Sequence, residues 1–381
     1  MTTAAYRLLL GSLRIRGSQE VSAPAKTSAL NGEADYELLY KLAAYHTVRP
    51  QLLDYLLRDY HGEPLAAEFI SGLQDSCRDS LVEQIEKVSE FFRFRESLTA
   101  HSVTAVPFKG FWLAVKYYGN LAARESSDTD IFIRYSDLGR AGDSMARSGY
   151  RVGAPFLDRP DPSDCEYAYG LYSGGRCTSY VEFHWKMAPA GFGLGITLDD
   201  LSSQLNTSEI EGRPVEGFSP AATLLLTVMH HGGKDAFAKL KQVYDIAMIL
   251  SSGYETDSEW LLSEAKRHGC LTLLALSVRL ASDLTGAEVP WWLKELCMTD
   301  RIRRLAEERA LRLADPPAER RRFRGQVNDW IFRIRSRDGF MVRTGLGWRF
   351  VRKVLLPALV PKKLHPLFMR KYNIPDYARE V

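Results

Sequence analysis

Residues 108–133 read FKGFWLAVKYYGNLAARESSDTDIFI, and this stretch restricts the fold more than any other in the chain. It opens on an apolar run ending in Lys109-Gly110, passes through a short helical pattern, and closes on Asp128-Thr129-Asp130 followed by Ile-Phe-Ile. Side chains two apart on a strand share a face. Asp128 and Asp130 are therefore expected side by side, and two like charges that close repel unless a cation sits between them. A strand carrying D-x-D after a glycine turn suggests a divalent-metal site that holds a nucleoside triphosphate. Lys109-Gly110 is the expected phosphate side: N–H groups at a helix N-terminus favour anions, and glycine lets a phosphate approach the main chain.

The rest of the chain reads as helices around a small β-rich middle. Apolar residues recur at helical spacing through 36–57, with a break at Pro50, and again through 77–98, where Leu81, Ile85, Val88, Phe91 and Phe92 are expected on one face. Residues 103–108 and 129–133 read as strands, 110–118 and 136–149 as helices, and 150–152 as a short strand. Two β-prone runs, 166–172 and 177–185, flank Ser173-Gly174-Gly175-Arg176, a turn that needs positive φ, and so predict a hairpin. In its second strand Val181, Phe183 and Trp185 share one face and Tyr180, Glu182 and His184 the other. The apolar face should pack on helices and the polar face should look into a cleft. After a Gly-rich connection at 191–195, helices are expected at 221–231, 239–250, 260–266 and 271–284, the first capped by Ser219 with Pro220 at its first position. Residues 17–32 read as a loop, 316–317 as a break in an Arg-rich helical segment, and the Pro-rich tail from 357 as a surface wrap. The domain reading is 1–98 helical, 99–215 the core, and 216–381 helical and Arg-rich.

Composition narrows the class. The chain has 381 residues, 45% of them hydrophobic and 25% charged, ample for more than one domain with a buried core. Its five cysteines stand singly without a C-x-x-C pair, so neither a zinc site nor a disulfide framework is indicated, and a reducing cytoplasm is the expected location. The apolar start is cut short by Gly11 and Arg14, which argues against a signal peptide, and no run approaches a membrane span. The net charge of +3 conceals a segregation: from Arg301 onward 21 Lys and Arg face 8 Asp and Glu, so everything before is net acidic. Such asymmetry points to an anionic partner for the C-terminal region. No aromatic-interleaved basic groove stands out, which argues against nucleic-acid polymerisation.

The candidate site combines Lys109-Gly110, Asp128-x-Asp130 and Glu182. Mg²⁺ takes hard oxygen ligands, and three carboxylates on adjacent strands can hold two such ions about 3.5–4 Å apart. Asp128 and Asp130 also read as a solvated strand end, and Lys109 as a surface lysine. Arg124 could pair with Asp128 or Glu125, or touch a phosphate. His184 could act as a general base or hold a sheet edge half-buried. His230 and His231, with Lys234 one turn on, read as packing residues or substrate contacts, and Asp245 as a buried, hydrogen-bonded aspartate.

At this point the residues resemble a family. VPFKGFWLAVKYYGNLAARESSDTDIFI is similar to the "LKG…L…Y…R…SDiDlL" signature of an uncharacterised bacterial nucleotidyltransferase family within the DNA-polymerase-β-like superfamily. Residues 44–50 (AYHTVRP), 181–185 (VEFHW), and His230-His231 with 240–250 resemble its further motifs, so the likeness covers roughly 35–255. It implies an α+β fold: a polymerase-β-like core, a mixed sheet with helices, flanked by N- and C-terminal helical regions. It further implies Mg²⁺-dependent transfer of a nucleotidyl group, with AMP the expected one, from an NTP. Asp128, Asp130 and Glu182 would be the metal ligands, catalytic together with His184, and Lys109, Gly110, Arg124 and Ser127 the nucleotide contacts. Two departures stand out: Lys109-Gly110 replaces the usual Gly-Gly or Gly-Ser, and Glu182 stands where Asp is commoner. The expected acceptor is a peptide, a sugar or a small molecule. The competing readings are an ATP-dependent kinase using the same metal site, and a non-catalytic protein that grips an anionic partner.

Overall fold

The computed structural model describes residues 3–15, 33–59, 64–153, 160–315 and 322–355. The loop at 17–32, the break at 316–317 and the tail from 357 lie outside the described residues. The N-terminal part holds α1 (Ala4–Gly11), α2 (Glu33–His46), α3 (Arg49–Asp59) and α4 (Pro64–Ala100). The break between α2 and α3 falls at Thr47, which takes φ 57°, and Pro50 sits inside the first turn of α3, where its missing N–H costs nothing.

Helix α4 runs 37 residues, about 55 Å at 1.5 Å per residue. Its buried face differs from the apolar-spacing expectation. Val88, Phe91 and Phe92 are buried, but Ile85 is 52% exposed. The inward position belongs to Gln84, whose amide donates to the Ser126 carbonyl at 2.8 Å. A buried main-chain acceptor in the neighbouring loop needs a donor more than the face needs another aliphatic chain.

The core is a five-stranded mixed sheet of order β1-β2-β5-β4-β3. Its strands are β1 (Val106–Pro107), β2 (Thr129–Phe132), β3 (Arg151–Val152), β4 (Glu166–Ser173) and β5 (Arg176–His184). Strands β4 and β5 form the expected hairpin over Gly174 (φ 56°) and Gly175 (φ 79°), and β3 joins its outer edge antiparallel. Strand β2 pairs antiparallel with β1 and parallel with β5, so it is central and all four of its residues are buried. Between β1 and β2 lies α5 (Phe111–Tyr117), and between β2 and β3 lies α6 (Leu138–Arg147). One sheet face, with Tyr169, Ser179, Val181 and Phe183, packs on α4 and α6: Tyr150 Oη meets Ser179 Oγ at 3.1 Å, and Gly142 leaves room for the Tyr169 hydroxyl.

A second, two-stranded ribbon, β6 (Leu205–Ile210) and β7 (Arg213–Phe218), escapes the sequence reading. Its strands are mostly polar and carry Pro214, both weak strand signals, though Glu211-Gly212 marks the turn. The C-terminal part is helical: α7 (Pro220–Thr227), a π-helical turn over Val228–Lys234, α8 (Leu240–Leu250), α9 (Ser258–Arg267), α10 (Leu271–Thr285), α11 (Lys294–Cys297), α12 (Asp300–Leu313), α13 (Phe323–Arg335) and α14 (Phe340–Phe350). Ser219 caps α7 by accepting from Ala222 N, with Pro220 at the first turn. No helix of the described residues is long and apolar enough to cross a membrane. All five cysteines are free thiols.

Much of the Arg-rich segment is engaged internally. Arg309 is buried and donates to Asp329 at 2.7 Å. Arg337 is buried and donates to the Gly269 and Gly193 carbonyls. Arg335 pairs with Glu308, and Arg333 donates to the Lys234 carbonyl. These four arginines build contacts between α12, α13 and the core.

The ribbon and α5 meet with no slack. A Cβ on Gly217 would lie 1.9 Å from the buried Trp112 ring. Gly217→Ala is therefore expected to destabilise the fold by about 1–3 kcal/mol, the usual effect of overpacking against a ring that cannot move aside. Urea unfolding followed by tryptophan fluorescence measures it, and wild-type stability in the variant would refute this packing.

Candidate active site

Strand pairing decides which carboxylates meet. In the parallel β2–β5 pair Asp130 stands opposite Glu182 and Phe132 opposite His184, while β4 sets Glu166 opposite His184 on the far side. One sheet face thus carries Asp130, Glu182, Glu166 and His184. His184 Nε2 lies 3.1 Å from Asp130 Oδ1 and 3.3 Å from Glu182 Oε2, and its Nδ1 lies 3.3 Å from Glu166 Oε2. Phe108, at the end of β1, closes over the imidazole with ring centroids 5.0 Å apart. His184 is wholly buried on a central strand. The reading of it as a half-buried edge residue is corrected by the sheet order, which places β5 between β2 and β4.

Two lysines complete the cluster. Lys109 Nζ sits 2.7 Å from Asp130 Oδ1, and Lys234, from the π-helical turn, pairs with Glu166. Burial works against every charge here, but the partners outweigh it. Lys109 and His184 pull the Asp130 carboxyl well below the usual range. Hydrogen bonds to Asp130 and Glu182 raise His184. Glu182 moves the other way: burial, then the nearby acids, raise it despite His184. Its side chain retains 20% exposure and that of Glu166 18%, so solvent reaches these two acids while Asp130 is enclosed.

A chain of side chains leads away from Lys109. Lys109 Nζ lies 3.0 Å from His230 Nε2, His230 Nδ1 lies 3.3 Å from His231 Nδ1, and His231 Nε2 lies 2.9 Å from Asp245 Oδ2. The end groups set the direction, since an ammonium only donates and a carboxylate only accepts. His230 therefore accepts at Nε2 and donates from Nδ1, and His231 accepts at Nδ1 and donates from Nε2. Burial, and then Lys109 and Lys234, hold His230 well below its ordinary value, as a neutral acceptor requires. Asp245 also receives Arg124 Nε at 2.7 Å, Arg124 Nη2 at 2.8 Å and Tyr118 Oη at 2.6 Å. These donors hold it ionised far below the usual carboxylate range even though it is fully buried.

The loop before β2 is positioned from several sides. Gly110 takes φ 56°, and a Cβ there would lie 3.2 Å from the Asp128 carbonyl, so the turn after Lys109 requires glycine. Arg124 Nη1 donates to the Gly110 carbonyl at 3.1 Å. Arg49 of α3 pairs with Glu125 at 2.6 Å, and Lys241 of α8 donates to the Glu125 carbonyl at 3.2 Å. Burial, then Arg124, pulls the Lys241 ammonium down to about 8. His46 of α2 accepts the Leu240 N–H at 3.2 Å and so fixes the start of α8.

Asp130, Glu182 and His184 converge within 4.8 Å, as do His230, His231 and Asp235. Asp128 lies just before β2, half-buried, and accepts from Ser126 Oγ at 3.1 Å; it is outside the first cluster. Ser127 is exposed beside it. Arg124 pairs with neither Asp128 nor Glu125: Asp245 takes its guanidinium through both carboxylate oxygens, and Glu125 is already held by Arg49. Sequence reasoning missed Glu166 and Gln84 as members of the site. Counting back from the turn would set Glu166 opposite Phe183; the bulge at Leu171–Tyr172 shifts the register by one and brings it opposite His184.

A mixed sheet with a carboxylate cluster on one face of a parallel strand pair, flanked by helical regions, is consistent with a polymerase-β-like nucleotidyltransferase fold. Residues 32–286 match the family described as "Uncharacterised nucleotidyltransferase", and the chain belongs to that family. No curated protein sequence matches the chain significantly. Three solved structures are similar over part of it. The antibiotic-resistance factor ANT(2'')-Ia shares 15% identity, with a TM-score of 0.34 over 48% of this chain and 90% of its own. The lincosamide antibiotic adenylyltransferase LnuA, lincomycin-bound, shares 17%, with a TM-score of 0.31 over 43% and 96%. An antigenic nucleotidyltransferase-like protein from Paracoccidioides brasiliensis shares 16%, with a TM-score of 0.34 over 57% and 93%.

Two outcomes follow from the buried network. Arg124→Met leaves Asp245 ionised without its main partner and should cost about 3–5 kcal/mol in chemical denaturation; a loss under 1 kcal/mol would show the pair to be dispensable. His230 has a folded pKa below its unfolded one, so its contribution is fully present above about pH 6.5 and is lost as pH falls, because only the unfolded chain takes up the proton. His230→Gln should therefore flatten the acid-side decline of stability between pH 6.5 and 5 by up to ~1.4 kcal/mol per pH unit. A pH series of urea melts on both proteins checks this, and parallel curves would contradict it.

Proposed function

We propose that this protein transfers a nucleotidyl group, AMP from ATP in the first instance, to an acceptor hydroxyl, with Mg²⁺ held by Asp130 and Glu182 and completed by Asp128. The observation that carries the reading is the in-register Asp130–Glu182 pair on parallel strands, inside a chain of the nucleotidyltransferase family. The donor set fits the ion: the carboxylate oxygens are hard ligands, and Asp128 and Glu182 keep access to solvent. Bound there, Mg²⁺ supplies charge neutralisation on the phosphate oxygens and favours the ionised acceptor hydroxyl.

The protein's own residues take the remaining tasks. Glu182, partly open, accepts the proton of the acceptor hydroxyl. The acceptor oxygen forms its bond to the α-phosphorus, the α–β anhydride bond breaks, and pyrophosphate leaves. Lys109 offers its charge to the phosphates, beside the Gly110 turn and the exposed Ser127. His184 orients Asp130 and, already hydrogen-bonded to it through Nε2, serves as a positioning residue. Arg124 acts through the turn it holds, by way of the Gly110 carbonyl. The acceptor is proposed to be a peptide, a sugar or a small molecule, and the basic excess beyond residue 300 favours one with anionic groups or an anionic partner.

Mass spectrometry of candidate acceptors incubated with ATP and Mg²⁺ tests the reading. A gain of a whole nucleotide is expected, and a gain of a single phosphate would make the protein a kinase with the same site. Asp130→Asn and Glu182→Gln should each lower turnover by about 10²-fold or more. Full activity in both variants would overturn the assignment.

A further inference from the structure

We propose that Lys109 is an exchangeable internal cation. In the resting protein it occupies the divalent ion's place on Asp130, and the metal displaces it only when a nucleotide arrives as well. The inference rests on the metal-site reading above and extends it to the order and coupling of ligand binding.

The geometry leads there directly. Asp130 Oδ1 already carries two basic groups, Lys109 Nζ at 2.7 Å and His184 Nε2 at 3.1 Å. Across the cluster the two lysines already hold two of its carboxylates, Lys109 on Asp130 and Lys234 on Glu166. To bind Asp130, a bare divalent cation must remove an ammonium from a buried carboxylate and leave that ammonium beside a second cation, in surroundings where screening is weak. A triphosphate changes both terms. Its negative charge stands between the two cations, and it gives the displaced ammonium a new partner.

Lys109 is built for such a move. Its Nζ is already shared between Asp130 and the neutral Nε2 of His230, so leaving the carboxylate does not leave the ammonium without an acceptor. His230 is itself fixed through His231 to Asp245. The main chain on the other side is held by the Gly110 turn, which Arg124 clamps from the same Asp245. The backbone therefore stays in place while the flexible side chain swings. An uncharged residue at this position would have nothing to exchange. Lys109 thereby converts an always-open carboxylate pair into one that prefers metal and nucleotide together.

Direct Mn²⁺ binding, read from the free-ion EPR signal during titration, tests this without reference to activity. Wild type should bind Mn²⁺ alone weakly and gain about tenfold or more on addition of a non-hydrolysable α,β-methylene ATP analogue. Lys109→Met should bind Mn²⁺ alone about tenfold more tightly than wild type, with a correspondingly smaller gain from the analogue. Lys109→Arg keeps a cation with a stronger hold on a carboxylate, so it should bind bare Mn²⁺ no better than wild type. Circular dichroism in EDTA reports whether each variant folds; should Lys109→Met fail, the arginine variant and wild type still decide. The proposal is overturned if Lys109→Met binds bare Mn²⁺ no more tightly than wild type, if Lys109→Arg binds it more tightly, or if the analogue leaves wild-type affinity unchanged. Those results would leave the metal site itself standing. Absence of Mn²⁺ binding in every protein, with and without the analogue, would instead remove the metal-site reading and this inference with it.

Discussion

The buried pair between Arg124 and Asp245 joins the two halves of the molecule that must cooperate. Arg124 belongs to the loop before β2, and Asp245 lies on α8, 121 residues further along the chain. Both are almost fully enclosed, so neither charge could persist alone. The pair gains little net stability over a well-packed apolar contact, because desolvation of both ions offsets most of their attraction. What it supplies is position. Through Arg124 it holds the Gly110 carbonyl, and through His231 and His230 it reaches Lys109. The glycine turn, the lysine and the helical region are thereby set relative to one carboxylate.

That arrangement gives the π-helical turn at Val228–Lys234 a clear role. A regular helix would advance its side chains by 100° per residue. The wider turn here places His230, His231 and Lys234 against three different partners, Lys109 in the turn before α5, Asp245 on α8 and Glu166 on β4. Its glycines, Gly232 and Gly233, sit where any Cβ would strike Leu273, Phe237 or Leu194. The C-terminal region therefore closes over the polar sheet face tightly enough to bury Lys109 and His184, yet leaves Glu182 and Asp128 partly open. Solvent also reaches the Lys234–Glu166 pair, while Lys109, Asp130 and His184 stay enclosed.

A good part of this was legible in the primary structure. The hairpin followed from paired glycines between β-prone runs. The common face of Glu182 and His184 followed from strand parity, and Asp245 as a buried hydrogen-bonded group from its apolar neighbours. The less legible features share one cause: polar residues whose partners lie far away in sequence. Gln84 displaced Ile85 from the inner face of α4 because a loop carbonyl needed a donor. Arg124 chose Asp245 over its sequence neighbours. The ribbon of β6 and β7 escaped notice because its outward residues are polar and its strands lack the β-branched pattern.

Residue chemistry and local periodicity alone determined that carboxylates follow a glycine turn on a short strand, that a second strand carries Glu182 and His184 on one face, and that positive charge collects at the C-terminal end. These depend only on backbone geometry repeating every two or 3.6 residues. Tertiary structure alone decided that Asp130 rather than Asp128 faces Glu182, that His184 lies at the centre of the sheet, and that Lys109 is buried against Asp130. The reason is physical. Register between distant strands, and the pairing of enclosed charges, are settled by which groups can satisfy one another once water is excluded, and no local pattern encodes that choice.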